Sequence, residues 1–395
     1  MASAAFLSAE DWPGYLGPNR DGTSTETDLL HEWPGSGPSV LWRTPIGPGY
    51  SSVAVVDGHL FTLFAKGDDE WLAAFNTVTG KEVWRARTGG HRKDSQGSGP
   101  RSTPSVADGV VYAVGATAEL IAVDAATGER RWGYDLAKDF GAKVPSWGVS
   151  SSPLIEGELL IIHGGGRKRA FLAFDKATGE PRWTTGSSSV AYASPIAATI
   201  GGGRQVIFFG AEGLAGVAVE DGRALWKAPW RTRYDVNAAT PLFVPQNGLF
   251  VSSGYDTGGA LLQIVSEDGD FEARQIWRSR VMRNEFNTSV RVDRHVYGFD
   301  DGILKSVDVL SGEESWRGRA GSKGSLIAAD GHLFVLGGTG ELSLVEATPE
   351  EFRKKASVRM TRERTWAVPA LAAGVLYLRA WDELIALRVG AQDPG

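Results

Sequence analysis

Seven cationic, amide or aromatic residues recur along the chain, each shortly before a predicted strand in a different one of seven successive segments. If the fold brings such side chains to one cavity, they can bind an anionic or planar ligand. Asp235 and Glu285 lie close enough in sequence to add carboxylates. The candidate ligand-binding residues are Arg101, Trp147, Tyr192, Asn237, Asn287, Lys323 and Trp366. In the alternative interpretation these residues are structural, with Asn237 and Asn287 capping turns and Trp147 and Trp366 packing between sheets.

No compact set of residues indicates catalysis, so we assign no catalytic residue. Cysteine is absent, which excludes disulfides, thiol nucleophiles and thiolate metal sites. Three of the six histidines, His59, His295 and His332, lie at or beside predicted turns, and the spacing of a zinc site is absent. The sequence also contains neither a Gly-x-Ser-x-Gly elbow nor a Gly-x-x-x-x-Gly-Lys phosphate loop.

The elements that would position the candidate residues are set by an internal repeat. Seven of the 14 tryptophans recur with a mean spacing of about 46 residues, at Trp42, Trp84, Trp132, Trp183, Trp226, Trp277 and Trp316. Four of them end the same phrase, Asp/Asn-x-x-Thr/Ser-Gly-x-x-x-Trp, as in Asp124 to Trp132. Asp or Asn can accept backbone hydrogen bonds and Gly can supply a positive φ, so the phrase predicts a hairpin. We expect the repeat tryptophans to pack between neighbouring sheets.

A second predicted hairpin precedes the first in every repeat, for example at Asp57-Gly58 and Asp108-Gly109. Two hairpins per repeat give four antiparallel strands, which at this repeat length is typical of a propeller blade. Eight such turns predict an all-β propeller of eight four-stranded blades. Because the last repeat has only three strands, we expect the strand around Val40–Arg43 to complete it and close the ring. An open β-solenoid is the alternative.

The predicted organisation is an N-terminal extension packing on the propeller (1–38), one propeller (39–390, in which 39–46 completes the last blade) and a C-terminal tail (391–395).

One insertion interrupts the repeat pattern. Thr348-Pro-Glu-Glu351 carries the signals of a helix start, with Thr as N-cap and Pro at the first helical position, and predicts a short helix through Ala356.

Charge and hydropathy exclude some partners. The formal net charge of −6 disfavours nucleic acid, which requires an excess of basic residues. No apolar run reaches transmembrane length, so no transmembrane segment is expected. The apolar patch within Met1–Glu10 is too short for a signal peptide and lacks a basic lead-in.

The phrases from Asp124 to Trp132 and from Asp175 to Trp183 resemble the quinoprotein-type (PQQ-like) propeller repeat of the WD40/YVTN-like quinoprotein superfamily. The resemblance extends from Trp42 to Val389. Further segments, such as Trp12–Arg20 and Tyr234–Pro241, look like those of uncharacterised bacterial BamB-like propellers. These proteins are usually exported, so the resemblance implies a periplasmic or otherwise extracytoplasmic protein whose leader is not part of this sequence.

The BamB-like branch implies a non-catalytic, monomeric scaffold that binds a protein partner and needs no cofactor. The quinoprotein dehydrogenase branch implies the alternative, a PQQ-dependent alcohol or sugar dehydrogenase with pyrroloquinoline quinone and calcium in the axial funnel. Calcium would need oxygen ligands, for which the candidates are Asp235, Asn237, Glu285 and Asn287. The missing cysteine pair and the short chain argue against this branch. A sugar or peptide ligand in the same funnel is a third possibility.

Overall fold

The computed structural model describes residues 10–391. Residues 1–9 and 392–395, which belong to the predicted extension and tail, lie outside the described residues. Eight four-stranded antiparallel sheets follow one another along the chain. In each sheet we name the strands A to D in order from the inner to the outer strand. The predicted eight-bladed propeller is confirmed.

Blades 1 to 4 use strands β2 to β17, in chain order. Their bounds are β2 Ala54–Val56, β3 His59–Lys66, β4 Asp69–Asn76 and β5 Glu82–Gly90; β6 Ser105–Ala107, β7 Val110–Val114, β8 Glu119–Asp124 and β9 Arg130–Asp135; β10 Leu154–Glu156, β11 Leu159–His163, β12 Phe171–Asp175 and β13 Pro181–Thr185; β14 Ile196–Ile200, β15 Gly203–Gly210, β16 Gly213–Ala218 and β17 Ala224–Pro229.

Blades 5 to 7 use β18 to β29, and blade 8 combines the last three strands with the first. Their bounds are β18 Leu242–Val244, β19 Gly248–Ser253, β20 Gly258–Glu267 and β21 Asp270–Ser279; β22 Val290–Val292, β23 His295–Asp300, β24 Ile303–Asp308 and β25 Glu314–Gly318; β26 Gly324–Ala329, β27 His332–Gly337, β28 Glu341–Glu346 and β29 Lys354–Arg359; β30 Ala370–Ala372, β31 Val375–Arg379, β32 Glu383–Arg388 and β1 Ser39–Pro45.

The ring closes through β1, which pairs antiparallel with β32 from Ser39 opposite Arg388 to Pro45 opposite Glu383. The expected closing strand is thereby confirmed.

Two short helical elements lie in loops, α1 (Leu136–Phe140) after blade 2 and a 3-10 turn (Arg233–Asp235) after blade 4. The Asp135 side chain caps α1 by accepting a hydrogen bond from the Lys138 backbone N–H at 3.0 Å.

The Asp of the repeated phrase organises the C–D turn. Asp124 Oδ1 accepts hydrogen bonds from the backbone N–H groups of Ala126 and Thr127, both at 3.0 Å. Asp175 makes the same pair of bonds one blade further on. The hydrogen bond from Arg131, followed by that from the Thr127 backbone, lowers the pKa of Asp124 to about 2. The turn therefore keeps an ionised acceptor over the whole neutral range.

The repeat tryptophans join each blade to the next. The Trp84 indole N–H donates to the Ala125 carbonyl of blade 2 at 3.0 Å, and Trp132 donates to Lys176 of blade 3 at 3.1 Å. The exception is Trp226, which donates to Gln205 Oε1 of its own blade at 2.8 Å. Blade 5, which follows it, replaces the phrase with a tight turn between two ten-residue strands. The indoles thus connect sheets, as predicted, wherever the next blade carries a turn that can receive them.

The Gly of the phrase lies under the indole of the preceding blade. A Cβ added to Gly128, at φ +73°, would lie 2.6 Å from carbons of the Trp84 ring. We therefore expect Gly128→Ala to destabilise the protein through both backbone strain and overpacking. Gly109→Ala is the matched control, since Gly109 has φ +70° but no atom within 4 Å of the added Cβ. In denaturant titrations, Gly128→Ala should lower the free energy of unfolding by about 1–3 kcal/mol more than Gly109→Ala does. Equal losses in the two variants would contradict the packing of the Trp84 indole on Gly128.

The helix predicted from Thr348 through Ala356 is wrong. Residues 347–353 form an irregular C–D loop, and Lys354–Arg359 is the outer strand β29, paired with β28. The Thr348 carbonyl accepts the indole N–H of Trp316 at 2.7 Å, and Phe352 packs on the same indole at 5.5 Å. The segment is therefore a long version of the turn that receives a tryptophan, and strand pairing overrides the local helix signals.

The N-terminal segment fills the propeller axis. Residues 12–24, which we call the plug, pair with the free inner edges of several A strands. Trp12 exchanges two backbone hydrogen bonds with Val55 of blade 1, both at 2.8 Å. Two blades away around the ring, Ala328 of blade 7 donates to the Gly22 carbonyl and accepts from the Ser24 N–H, both at 2.9 Å. The propeller is therefore closed along its axis by its own chain.

Candidate functional site

A cavity of about 380 Å³ opens on the propeller face where the D strand of one blade connects to the A strand of the next. Its walls are the segments that precede the A strands, where the sequence analysis placed the candidate residues. Five of those seven residues line it, namely Arg101, Trp147, Tyr192, Lys323 and Trp366. We call this cavity the funnel.

The other two candidates, Asn237 and Asn287, are buried behind the funnel wall. The Asn237 amide donates to the carbonyls of Gly210 at 2.8 Å and Trp230 at 3.3 Å, and its oxygen accepts from the Ser253 hydroxyl at 2.9 Å. Asn287 donates to the Gly324 carbonyl of the next blade. Both side chains hold backbone segments in place, and neither lines the funnel.

The four candidate metal ligands do not converge. Glu285 lines the funnel, whereas Asn237 and Asn287 are buried and Asp235 lies outside the lining, exposed in the 3-10 turn. The Glu285 carboxylate is paired with Lys323. Among residues 10–391, no group of three or more His, Cys, Asp or Glu side chains has the geometry to hold a metal ion. The donor set therefore does not fit calcium in the predicted place.

One aromatic wall of the funnel comes from the segments before blades 8, 1 and 6. Tyr50 stacks on Trp366 with ring centroids 5.2 Å apart, and Phe286 lies against the same indole at 4.7 Å. On the outer side, the Arg364 guanidinium lies 4.5 Å from the Trp366 ring and donates to the Tyr50 hydroxyl. Burial raises the pKa of Tyr50, so its phenol stays neutral at physiological pH.

A second aromatic wall comes from the segments before blades 3 and 4. Trp147 and Tyr192 pack with ring centroids 5.4 Å apart. The Ser150 hydroxyl fixes this pair by donating to the Tyr192 carbonyl at 2.8 Å. In a ring of eight blades, blade 4 lies opposite blade 8, so the two walls face each other across the axis. Trp147, Tyr192 and Trp366 were expected from the sequence, whereas Tyr50 and Phe286 were not.

The two cations in the funnel lining have acidic partners. Arg101 contacts Asp94 at 2.8 Å, and both side chains are only 10% exposed. Lys323 contacts Glu285 and also Asp301, the latter at 2.7 Å. Hydrogen bonds to these carboxylates raise the pKa of Lys323, although burial, the largest single effect, acts in the opposite direction. In the part of the chain that the structure describes, each positive charge of the lining is therefore paired with a negative charge, so the funnel has no surface patch of a single charge sign there.

A series of hydroxyl groups connects blades 2 to 6 along the lower wall of the funnel. The Ser152 hydroxyl accepts the Thr103 N–H at 2.9 Å, Ser194 accepts Ser152 N–H at 2.9 Å, and Thr240 accepts Ser194 N–H at 3.3 Å. The series ends at Thr288, which accepts the Thr240 N–H at 3.0 Å. Three of these acceptors, Ser152, Ser194 and Thr240, belong to recurring Ser/Thr-Pro pairs of the sequence, so these pairs link one blade to the next.

The plug supplies the funnel floor. Tyr15 lines the cavity, and its hydroxyl lies 3.2 Å from Thr288 Oγ1. Arg20, further along the plug, donates to the carbonyls of Pro153 at 2.8 Å, Ser152 at 3.2 Å and Pro195 at 3.1 Å. Burial lowers the pKa of Arg20 to about 10. The funnel is consequently blind, with one mouth and a floor made by residues that the sequence analysis did not select.

Comparisons with known proteins agree with this architecture. The family model described as outer membrane protein assembly factor BamB matches residues 22–143 and 68–317. BamB of Burkholderia pseudomallei (strain K96243) is 29% identical over 236 residues, and the match spans 56% of each chain. The chain therefore spans about half the length of this curated relative.

Solved structures share the fold at low sequence identity. BamB from Moraxella catarrhalis superimposes with a TM-score of 0.63 at 16% identity, covering 90% of this chain and 99% of that one. Quinohemoprotein alcohol dehydrogenase from Comamonas testosteroni gives a TM-score of 0.65 at 13% identity, covering 97% and 81%. These similarities concern the fold alone. On the family match, which spans most of the propeller and agrees with the predicted PQQ-like, BamB-like repeat, the chain belongs to the family of outer membrane protein assembly factor BamB.

Proposed function

We propose that the chain is a non-catalytic, extracytoplasmic scaffold that binds a partner protein during the assembly of outer-membrane proteins. Family membership supports this proposal, because the matching model and the curated relative are both described as outer membrane protein assembly factors. Within residues 10–391, no helix is both long and apolar enough to cross a membrane. The observation that carries the proposal is the exposed apolar surface where blades 8 and 1 meet.

Four exposed aliphatic residues lie on this surface, which we call the seam patch: Val40, Leu41, Val78 and Val83. They are 45%, 39%, 82% and 49% exposed, and they account for half of the eight large hydrophobic residues exposed in the described chain. Val40 and Leu41 immediately precede Trp42, whose indole N–H donates to Thr77 at 2.7 Å, next to Val78. Clustered exposed apolar residues are typical of protein-interaction sites.

The backbone of the seam patch can also bind a partner. Strand β1 is the outer strand of blade 8, and β5, which contains Val83, is the outer strand of blade 1. Edge strands leave N–H and C=O groups free to pair with an added strand, and neighbouring side chains then select its sequence. We propose that the partner contributes an extended segment with apolar side chains.

The first test uses a photoreactive amino acid at position 78 in cells of the source bacterium. Leu310 provides the matched control, because it occupies the equivalent position in the blade 6 turn and is 47% exposed. We expect crosslinking to a component of outer-membrane protein assembly at position 78, at least about tenfold above position 310. Equal crosslinking at both positions would remove the seam patch from the proposal.

A second test measures function. When the Leu41→Asp, Val78→Asp double variant replaces the wild-type protein in the cell, the abundance of outer-membrane proteins should fall as much as it does when the gene is deleted. The two introduced carboxylates would have to be buried against apolar side chains of the partner, which is unfavourable. Leu310→Asp should complement the deletion. Full complementation by the double variant, at normal protein levels, would contradict the proposed role.

The quinoprotein alternative predicts different behaviour. The candidate calcium ligands do not come together, and the polar atoms of Asn237 already have protein partners. We therefore derive no reaction through pyrroloquinoline quinone. Addition of the quinone with calcium should leave the tryptophan fluorescence and the melting temperature unchanged, whereas saturable quenching would favour the dehydrogenase branch.

A further inference from the structure

The funnel has the features of a ligand site that is separate from the seam patch. Its two aromatic walls, Trp147 with Tyr192 and Trp366 with Tyr50 and Phe286, are anchored on opposite sides of the ring. The volume of about 380 Å³ lies in the lower part of the range typical of small-molecule sites. A ring-shaped ligand could therefore be held between the walls.

The charges in the funnel favour a neutral ligand. Arg101 and Lys323 already contact carboxylates, so an anion would have to compete with Asp94 or Glu285. A cationic ligand meets similar competition, because Arg101 lies 5.3 Å from the Tyr50 ring and Arg364 lies over Trp366. Those rings already interact with cations of the chain.

The available polar groups of the lining are uncharged. Within residues 10–391, the side-chain amide of Gln96, the hydroxyl of Tyr255 and the indole N–H groups of Trp147 and Trp366 are left without a hydrogen-bond partner. Donors and acceptors of this kind beside aromatic faces suit a polyhydroxylated ring. Its hydroxyl groups can bond to the neutral groups, and its weakly positive C–H bonds can meet the negative face of an aromatic ring.

The closed floor restricts how a ligand enters. Because Tyr15 and the rest of the plug block the axis, nothing can thread through the ring. A ligand must enter through the single mouth and end against Tyr15. This geometry favours the terminal unit of a glycan over an internal segment of a polypeptide, which would have to enter and leave by the same opening.

We propose that the funnel binds the end of a neutral oligosaccharide, with Trp147 and Tyr192 stacking on a sugar ring and Gln96, Tyr255 and Trp366 bonding to its hydroxyls. Trp147 and Tyr192 are assigned the stacking role because Trp366 is already flanked by Tyr50, Phe286 and Arg364. This site is independent of the proposed protein partner, so either proposal can fail while the other holds.

The experiment titrates the full chain with maltotriose, cellotriose and chitotriose, following tryptophan fluorescence and heat. An acidic oligosaccharide, trigalacturonate, and a neutral proline-rich peptide are titrated in parallel. We expect at least one neutral trisaccharide to bind with a Kd between about 10 μM and 1 mM. Failure of all three to bind, or binding of only the acid or only the peptide, would overturn the proposal.

Variants then locate the site. Trp147→Ala should weaken binding at least about tenfold, and Trp147→Phe should restore most of it because a stacking face is retained. Trp71→Ala, which removes a half-buried indole of blade 1 outside the funnel lining, should bind like the wild type. Melting curves of each variant separate loss of the ligand from loss of the fold. Wild-type binding by a folded Trp147→Ala variant would place the sugar elsewhere and contradict the proposal.

Discussion

Arg379→Ala should lower the free energy of unfolding by about 3–5 kcal/mol. Arg379, at the end of β31, is 2% exposed and fastens blade 8 to blade 1. Its guanidinium donates to the Leu63 carbonyl at 2.8 Å, Thr62 Oγ1 at 3.2 Å and the Gly47 carbonyl at 3.0 Å. Truncation would leave these buried acceptors unpaired and open a cavity where the ring closes.

Two further variants separate the contributions of Arg379. Arg379→Met keeps much of the apolar volume but loses the hydrogen bonds, so it should be less destabilising than alanine. Arg43→Ala is the surface control, because Arg43 lies in the same blade, is 37% exposed in its side chain and pairs with Glu383 at 2.9 Å. Exposed pairs contribute at most about 1 kcal/mol. Urea titrations in which Arg379→Ala and Arg43→Ala lose equal stability would contradict a closure role for Arg379.

The blades could be predicted from the sequence because their signals are local. The phrase from Asp124 to Trp132 contains both the residue that accepts the turn hydrogen bonds and the Gly with positive φ. Repetition then revealed what a single copy would not, since the same phrase recurs at the spacing of a blade. The ring closure followed from counting strands, because three C-terminal strands and one N-terminal strand complete one sheet.

Local signals failed where a distant partner decided the structure. Thr348-Pro-Glu-Glu351 has the composition of a helix start, but β29 is fixed as a strand by its pairing with β28. A sequence pattern reports intrinsic preference, which tertiary pairing can override.

Part of the funnel could be predicted from the sequence, because the repeat fixes the position of each residue relative to the A strand of its blade. Arg101, Trp147, Tyr192, Lys323 and Trp366 could be placed in one cavity by counting positions before each A strand. The floor could not, because Tyr15 is 273 residues from Thr288 and Arg20 is 133 residues from Pro153. Nothing in the spacing of residues 12–24 indicates that they enter the ring, since the plug belongs to no repeat.

Glu70 should make the stability of the protein fall as the pH rises from 5 to 8. Its carboxylate is fully buried at the junction of blades 1 and 2, where it accepts hydrogen bonds from the N–H groups of Ala116 at 2.8 Å and Arg92 at 3.3 Å. Burial raises its pKa to about 7, despite these hydrogen bonds. The folded state therefore binds a proton more tightly than the unfolded chain, so the stabilisation is complete below pH 4.5 and is lost as the pH passes 7.

Glu70→Gln should remove this dependence, because the amide resembles the protonated acid. Relative to the wild type, the variant should gain on the order of 3 kcal/mol of stability between pH 5 and pH 8. Glu212→Gln is a control for which the stability should depend on pH in the opposite direction. Burial alone would raise the pKa of Glu212, but hydrogen bonds from Ser188 and Ser189 lower it. Its carboxylate therefore stabilises the fold at neutral pH, and that contribution fades as the medium becomes acidic. Denaturant titrations across the pH range would decide, and parallel curves for the wild type and Glu70→Gln would show that Glu70 is ionised in both the folded and unfolded states.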